Sequence, residues 1–131
     1  MLPNVLSSSS TSKLELPIEG NHSPALIDVI ALAKVVFAEA RGEGIAGQIA
    51  VVDVVRNRCE LSGRTIEQES RTGFCSGKLT HEFADLAADV LSRPSSHPFL
   101  FFLNPKRSTD CDWLAYSKTQ RGLNIGQHFF F

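Results

Sequence analysis

The chain has few cysteines. Cys59, Cys75 and Cys111 are the three in 131 residues. An odd, widely spaced set excludes a disulfide framework. There is no CxxC, and the four histidines are scattered, so metal-ligand spacing is missing as well. His81-Glu82 begins like a zinc-protease motif, but Asp85 stands where the second histidine belongs. Nothing in this pattern calls for a metal or a cofactor. Free, partly buried thiols are the expected state, with one disulfide open to a protein that works outside the cytoplasm.

An excess of charge of either sign is also lacking. The formal net charge is −1, which leaves no bulk basic footprint for nucleic acid or an anionic membrane. Arg56, Arg58, Arg64 and Arg71 form a modest basic cluster, read most simply as a solvated face. Long hydrophobic runs are missing too. The longest, Ala25 to Ala38, is broken by Asp28 and Lys34 and is too short and too polar to span a bilayer. The first residues, MLPNVLSSSSTSKLEL, contain no basic region followed by an apolar core, so no secretory signal is recognisable and export by another route is expected. No internal repeat, P-loop, GxSxG or GxGxxG occurs, and nothing marks a Ser-His-Asp site.

What remains is one domain's worth of chain, with 43% hydrophobic residues, long enough to bury a core without staples. Residues 1–22, with a serine run and no sustained periodicity, read as a mobile tail or linker. Alternation of Leu14, Leu16 and Ile18 offers a short edge strand as the alternative. Residues 23–131 form the domain. Ser23-Pro24 predicts a helix start, with serine as N-cap and proline at the first helical position. The helix runs to about Arg41, with Gly42 as its stop. Ile45 to Arg58 is strand-like by its valines and helix-like by length and by the spacing Ile45, Ile49, Val52; helix is the choice, ending at Asn57 and Arg58. A short helical piece around Thr65 to Glu69 follows. Thr80 caps a helix over His81 to Leu91. Phe99 to Leu103 reads as a short buried strand, with Trp113 and Tyr116 in the loop after it. The apolar end, IGQHFFF, is expected to be tied into the sheet.

Glu39 stands out chemically. It follows Val35, Val36, Phe37 and Ala38, none of which solvates a charge, and it lies in the last turn of its helix. Burial and the negative end of the helix dipole are both expected to raise its pKa. Glu43, four residues on, adds a like charge if the helix persists, whereas Arg41 opposes these effects if it folds back. A carboxylic acid still protonated near neutral pH suits a glycosidase, which must protonate a leaving oxygen. The alternative is an ordinary solvated glutamate at a helix end. Asn57 is either a helix-terminus cap or a polar group in a cleft. Trp113 either stacks on a sugar face or packs in the core. His128 either points into a cleft or is a hydrogen-bonded structural histidine.

Taken together these residues resemble the cell wall hydrolases related to the spore cortex-lytic enzymes. The resemblance is carried by Ala38-Glu39-Ala40-Arg41-Gly42-Glu43, Gly47-Gln48 and Asn57-Arg58. It continues through Phe74-Cys75-Ser76, Phe102-Leu103-Asn104-Pro105, Trp113 and Ile125-Gly126-Gln127-His128-Phe129-Phe130. Order and rough spacing hold over residues 32–131. Gln127 replaces the family's Asn, Phe130 its Tyr, and Cys75 stands where Ser follows Phe. The resemblance implies a lysozyme-like α+β fold, mainly helical with a small β-sheet. It implies a lytic transglycosylase acting on peptidoglycan glycan strands at the bacterial cell wall, with Glu39 as acid and then base. Glu43 is then a tuning group or a second carboxylate, and Asn57, Phe102, Trp113 and His128 line the cleft. The competing expectations are a hydrolytic muramidase of the same fold and a non-catalytic glycan-binding or partner-docking module. A delivery route is also implied, as is an inhibitor or immunity protein if the chain is a secreted effector.

Overall fold

A computed structural model describes residues 23–131; the expected tail or linker, with its alternative strand, lies outside the described residues. Five helices and three short strands follow in order. They are α1 (Leu26–Ala40), α2 (Ile45–Ser62), α3 (Ile66–Gly73), α4 (His81–Leu91), β1 (Phe102–Leu103), α5 (Cys111–Ser117), β2 (Leu123–Ile125) and β3 (His128–Phe130). No described helix is long and apolar enough to cross a membrane.

The core lies where α1, α2 and α4 meet. Leu32, Val35 and Val36 of α1 pack with Val51, Val52, Val54 and Val55 of α2, and with Phe83, Ala87 and Val90 of α4. The four α2 valines explain why the VVDVV stretch is helical despite its strand propensity. All four are buried, and neighbours on several sides enclose the helix, so tertiary packing overrides the local preference.

The helix ends correct the sequence-based expectations in two places, the start of α1 and the end of α2. α1 begins at Leu26 rather than at Pro24. Ala25 is extended (φ −68°, ψ 137°) and acts as the N-cap without a side-chain bond; its carbonyl accepts from Asp28 and Val29. α1 ends as expected, with Arg41 as C-cap and Gly42 after it, although Gly42 is not left-handed. Glu43 N–H donates to the Ala40 carbonyl, and the Gln48 side-chain amide donates to Ala40 O at 3.2 Å and Glu43 O at 3.0 Å. A side chain from the next helix thus satisfies the last carbonyl of α1 and one in the turn that follows. α2 continues a turn beyond Arg58 to Ser62, where Gly63 (φ 77°) closes it with its N–H on the Cys59 carbonyl. This left-handed position favours glycine.

Threonine caps behave as the sequence suggests. Thr65 and Gln68 form a reciprocal capping box on α3, and Thr80 accepts from Phe83 N–H at the start of α4. The chain end is the middle strand of an antiparallel sheet ordered β1-β3-β2. Phe102 pairs with Phe130, and Ile125 with His128. The strand expected over Phe99 to Leu103 narrows to Phe102–Leu103 because Leu100 and Phe101 N–H both turn to the one Phe131 carbonyl. Trp113 and Tyr116 are not in a loop but on α5, whose start Asp110 caps through Trp113 N–H.

Candidate active site

A cavity of about 550 Å³ opens where the end of α1 faces β1 and the β2–β3 turn. Glu39 and Glu43 line it from one side, and Phe102, Asn104, Arg107 and His128 from the other. A second cavity of about 200 Å³ also takes Glu39 and Phe102 as walls, and adds Arg58, Phe74, Phe101 and Trp113. Glu39 therefore sits between two clefts, one polar and one aromatic.

The apolar residues before Glu39 do not enclose it. Val35 and Val36 point into the core, while Glu39 is half-buried and faces the clefts. Its Oε2 accepts the backbone N–H of Cys75 at 3.0 Å. That bond comes from the segment after α3, which is held against α1 by Gly77 N–H on the Lys34 carbonyl at 2.9 Å. The Glu39 charge beside it raises the Cys75 thiol above its ordinary pKa, with burial and a side-chain hydrogen bond to Glu39 adding to the effect. Arg41 folds back, as weighed from the sequence. Its Nη1 donates to Phe37 O at 3.1 Å, and its guanidinium lies 4.8 Å from the Phe37 ring centre.

Because α1 ends before it, Glu43 is not a helical neighbour of Glu39. Its Oε1 accepts Gln127 N–H at 3.0 Å, and its Oε2 lies 3.6 Å from His128 Nδ1. Both side chains are 9% exposed. His128 Nδ1 is buried with no hydrogen-bond partner among the described residues, and Phe102 meets the imidazole edge to face at 5.3 Å. Glu43, His128 and Phe102 thus form one group in the polar cleft.

Trp113 lines the aromatic cleft and also packs. It meets Phe101 edge to face at 5.3 Å, stacks on Tyr116 at 5.8 Å, and contacts Phe131 at 5.4 Å. Asn57 lies apart from the clefts: its amide donates to the carbonyls of His97 (2.6 Å) and Phe99 (2.9 Å), tying the segment before β1 to α2. The basic cluster is dispersed into pairs. Arg58 and Arg64 meet the buried Glu69 at 3.0 and 3.2 Å, Arg71 meets Glu67, and Arg56 lies 3.5 Å from Asp53.

Asp53, Ser96 and His97 do come together, but not as a nucleophilic triad. Ser96 Oγ and His97 Nδ1 both turn to Asp53 Oδ2, at 3.1 and 2.8 Å, so the histidine is not poised between acid and hydroxyl. Buried Asp53 thereby anchors the loop that carries Ser96 and His97. Arg58 and Arg107 went unmarked as cleft residues because their spacing carries no signal. The three cysteines are free, and burial pushes the Cys59 thiol up to about 11, with Glu69 and Asp28 adding to the shift. Among the described residues no group of His, Cys, Asp and Glu has the arrangement of a metal site.

No family model matches the chain. It is 30% identical over 116 aligned residues to a spore cortex-lytic enzyme of Oceanobacillus iheyensis, an alignment covering 79% of this chain and 41% of the relative. The chain therefore spans about two-fifths of that relative's length. In fold it is similar to the catalytic domain of the germination-specific lytic transglycosylase SleB from Bacillus anthracis. The TM-score is 0.62 at 23% identity, covering 86% of this chain and 98% of that domain. The catalytic domain of SleB from Bacillus cereus gives 0.61 at 19% identity, covering 88% and 98%. The chain thus has the lysozyme-like α+β fold of these domains, and is similar in sequence to a spore cortex-lytic enzyme over 79% of its length.

Proposed function

We propose that this domain cleaves peptidoglycan glycan strands as a lytic transglycosylase, with Glu39 as acid and then base. The observation that carries this is the position of Glu39 between two clefts. A strand lying across both brings its central glycosidic oxygen to one carboxyl group. Glu39 protonates the oxygen bridging N-acetylmuramic acid and N-acetylglucosamine as that bond breaks. It then takes the proton from the muramic acid's own C6 hydroxyl, whose oxygen bonds to C1. The product is a 1,6-anhydro end, and no water is consumed. An internal nucleophile needs no second carboxylate to activate water and carries a proximity advantage. Sequence similarity to a cortex-lytic enzyme and the fold of lytic transglycosylase domains support this reading.

Glu43, His128 and Phe102 are the residues we assign to holding the sugar on the polar side, and Trp113 to its aromatic continuation. Asn57 acts at a distance, by fixing the chain that leads into β1. The site of action is then the bacterial cell wall, reached through whatever carrier or precursor delivers the domain; an inhibitor protein that plugs the clefts belongs to the same proposal. Glu43 in the same cleft as Glu39 favours one alternative, a muramidase that uses Glu43 as its second carboxylate.

Digestion of purified peptidoglycan by the wild type and by Glu39→Gln, with mass spectrometry of soluble fragments, tests these readings. Fragments one water lighter than hydrolysis products, and absent with the variant, are expected. Ordinary reducing ends establish the muramidase. Full cleavage by Glu39→Gln removes Glu39 from the chemistry, and binding without cleavage by the wild type leaves a glycan-binding module.

A further inference from the structure

Among the described residues, the Glu39 carboxyl group takes its hydrogen bonds from Cys75 alone. Cys75 lies in the irregular segment between α3 and α4, so the aim of Glu39 depends on what holds that segment. One tie lies after Cys75, where Gly77 N–H meets the Lys34 carbonyl at 2.9 Å. The tie before it comes from Arg58, on α2. Its guanidinium lies over the rings of Phe74 and Phe101, 4.8 and 5.4 Å from their centres. Its Nε meets Oε2 of the buried Glu69, on α3, at 3.0 Å. The same head lies against the backbone at Gly73, where a Cβ would stand 2.8 Å from Arg58 Nη2 and 3.3 Å from Glu69 Oε2. Phe74 in turn stacks on Phe102 at 6.0 Å.

Arg58 thus joins α2 and α3 to the two residues that precede Cys75, and Arg58, Gly73 and Phe74 line the smaller cleft together with Glu39. A planar guanidinium pairs with a carboxylate while its face rests on rings, which the compact ammonium of lysine does not reproduce. Resting on the glycan-cleaving function proposed above, we propose that Arg58 is a positioning residue for Glu39, fixing through Gly73 and Phe74 the Cys75 N–H that holds the carboxyl group between the two clefts. Arg58 touches no reacting atom. Its contribution reaches the chemistry through the backbone of residues 73–75. Displacement of that backbone lets the Glu39 carboxyl group turn away from the glycosidic oxygen, and proton transfer requires hydrogen-bond reach. Arg64 also pairs with Glu69, at 3.2 Å, but does not line this cleft, so it separates the neutralising of Glu69 from the positioning of Glu39.

Arg58→Ala would leave the buried Glu69 with Arg64 as its one partner, so the test uses Arg58→Lys, which keeps a cation for Glu69 and gives up the guanidinium plane. Circular dichroism and melting are expected to stay close to wild type. The kcat for peptidoglycan cleavage is expected to fall about tenfold, with KM within about twofold. Cys75 supplies a readout that a merely structural role would not move. In a Cys111→Ser background, with the Cys59 thiol pushed up to about 11 by burial, the pH midpoint of iodoacetamide labelling reads Cys75. The Glu39 charge raises that midpoint in the otherwise unchanged protein. Release of the segment separates the two groups, so the midpoint is expected to fall in Arg58→Lys and to stay in place in Arg64→Ala. If Arg58→Lys melts far below wild type, Phe74→Leu, which leaves the Glu69 pair intact, carries the same two readouts. Full kcat or an unchanged midpoint in the folded variant overturns the positioning role alone, as does an equal midpoint shift in Arg64→Ala. Absence of cleavage by the wild type overturns the glycan-cleaving reading, and the role of Arg58 in it falls as well.

Discussion

The backbone N–H of Gln127 donates to Glu43 Oε1 at 3.0 Å, joining residues 84 apart in the chain. This contact closes the β2–β3 turn onto the loop between α1 and α2 and so sets the width of the polar cleft. Next to it, Gly126 holds φ 62°, and a Cβ placed there would overlap Glu43 Oε1. Glycine is required for two independent reasons, backbone conformation and the closeness of a carboxylate.

Gly126→Ala is therefore expected to destabilise the fold by about 1–2 kcal/mol from the left-handed backbone alone. Displacement of Glu43 adds to this. Thermal or urea unfolding reads the loss. Peptidoglycan cleavage is expected to fall by more than the unfolded fraction explains, because Glu43 moves in the folded protein too. Unchanged stability would show that the turn relaxes freely and does not clamp the cleft.

Asn57 sits in a sequence block that also contains Arg58, yet its amide serves structure. Asn57→Ala leaves the His97 and Phe99 carbonyls without that donor and is expected to cost about 1–3 kcal/mol. At temperatures where the variant remains folded, kcat is expected to stay close to wild type. Glu39→Gln should behave in the opposite way, retaining stability and losing cleavage. A kcat collapse in folded Asn57→Ala would return Asn57 to the cleft.

The Cys75 thiol reports on the charge of Glu39. The carboxylate beside it raises the thiol pKa, so the reactive thiolate is scarcer at a given pH than for an ordinary cysteine. Replacing Glu39 by Gln removes the largest cause, the pKa falls back, and thiolate becomes more abundant at pH 8. With exposed Cys111 changed to Ser and Cys59 held near 11 by burial, iodoacetamide labelling at pH 8 reads Cys75. Labelling is expected to be faster in Glu39→Gln, and its pH midpoint is expected to shift downward. An identical midpoint in both proteins would mean that the two groups do not interact in solution.

The sequence carried those elements whose cause is local. Thr65 with Gln68, and Thr80 ahead of His81, are caps written within four residues, and the structure uses both. Helical spacing settled α2 against its own strand propensity, because a row of valines buried on several sides fits a helix among helices. The apolar end belonged in a sheet for a comparable reason, since Phe130 is covered between β1 and β2 and Phe131 packs among Phe101, Trp113 and Phe129. Glu39 could be singled out because an acid after an apolar run is chemically conspicuous. Its environment could not be read, because Val35 and Val36 turn into the core and its bonding partner, Cys75, is 36 positions away.

Only the tertiary structure decided which polar side chains meet. Gln48 closes the end of α1, and Asn57 reaches two carbonyls about 40 residues on. Glu43 turns away from the α1 face toward Gln127 and His128. Arg58 is spent on Glu69 and two aromatic rings, and Arg41 on the Phe37 carbonyl and ring. Hydrophobic periodicity tells a helix which side to bury, because burial depends on a face and a face repeats along the chain. A hydrogen bond or an ion pair depends on two atoms within about 3 Å, and no repeat in the sequence encodes which distant residue supplies the second.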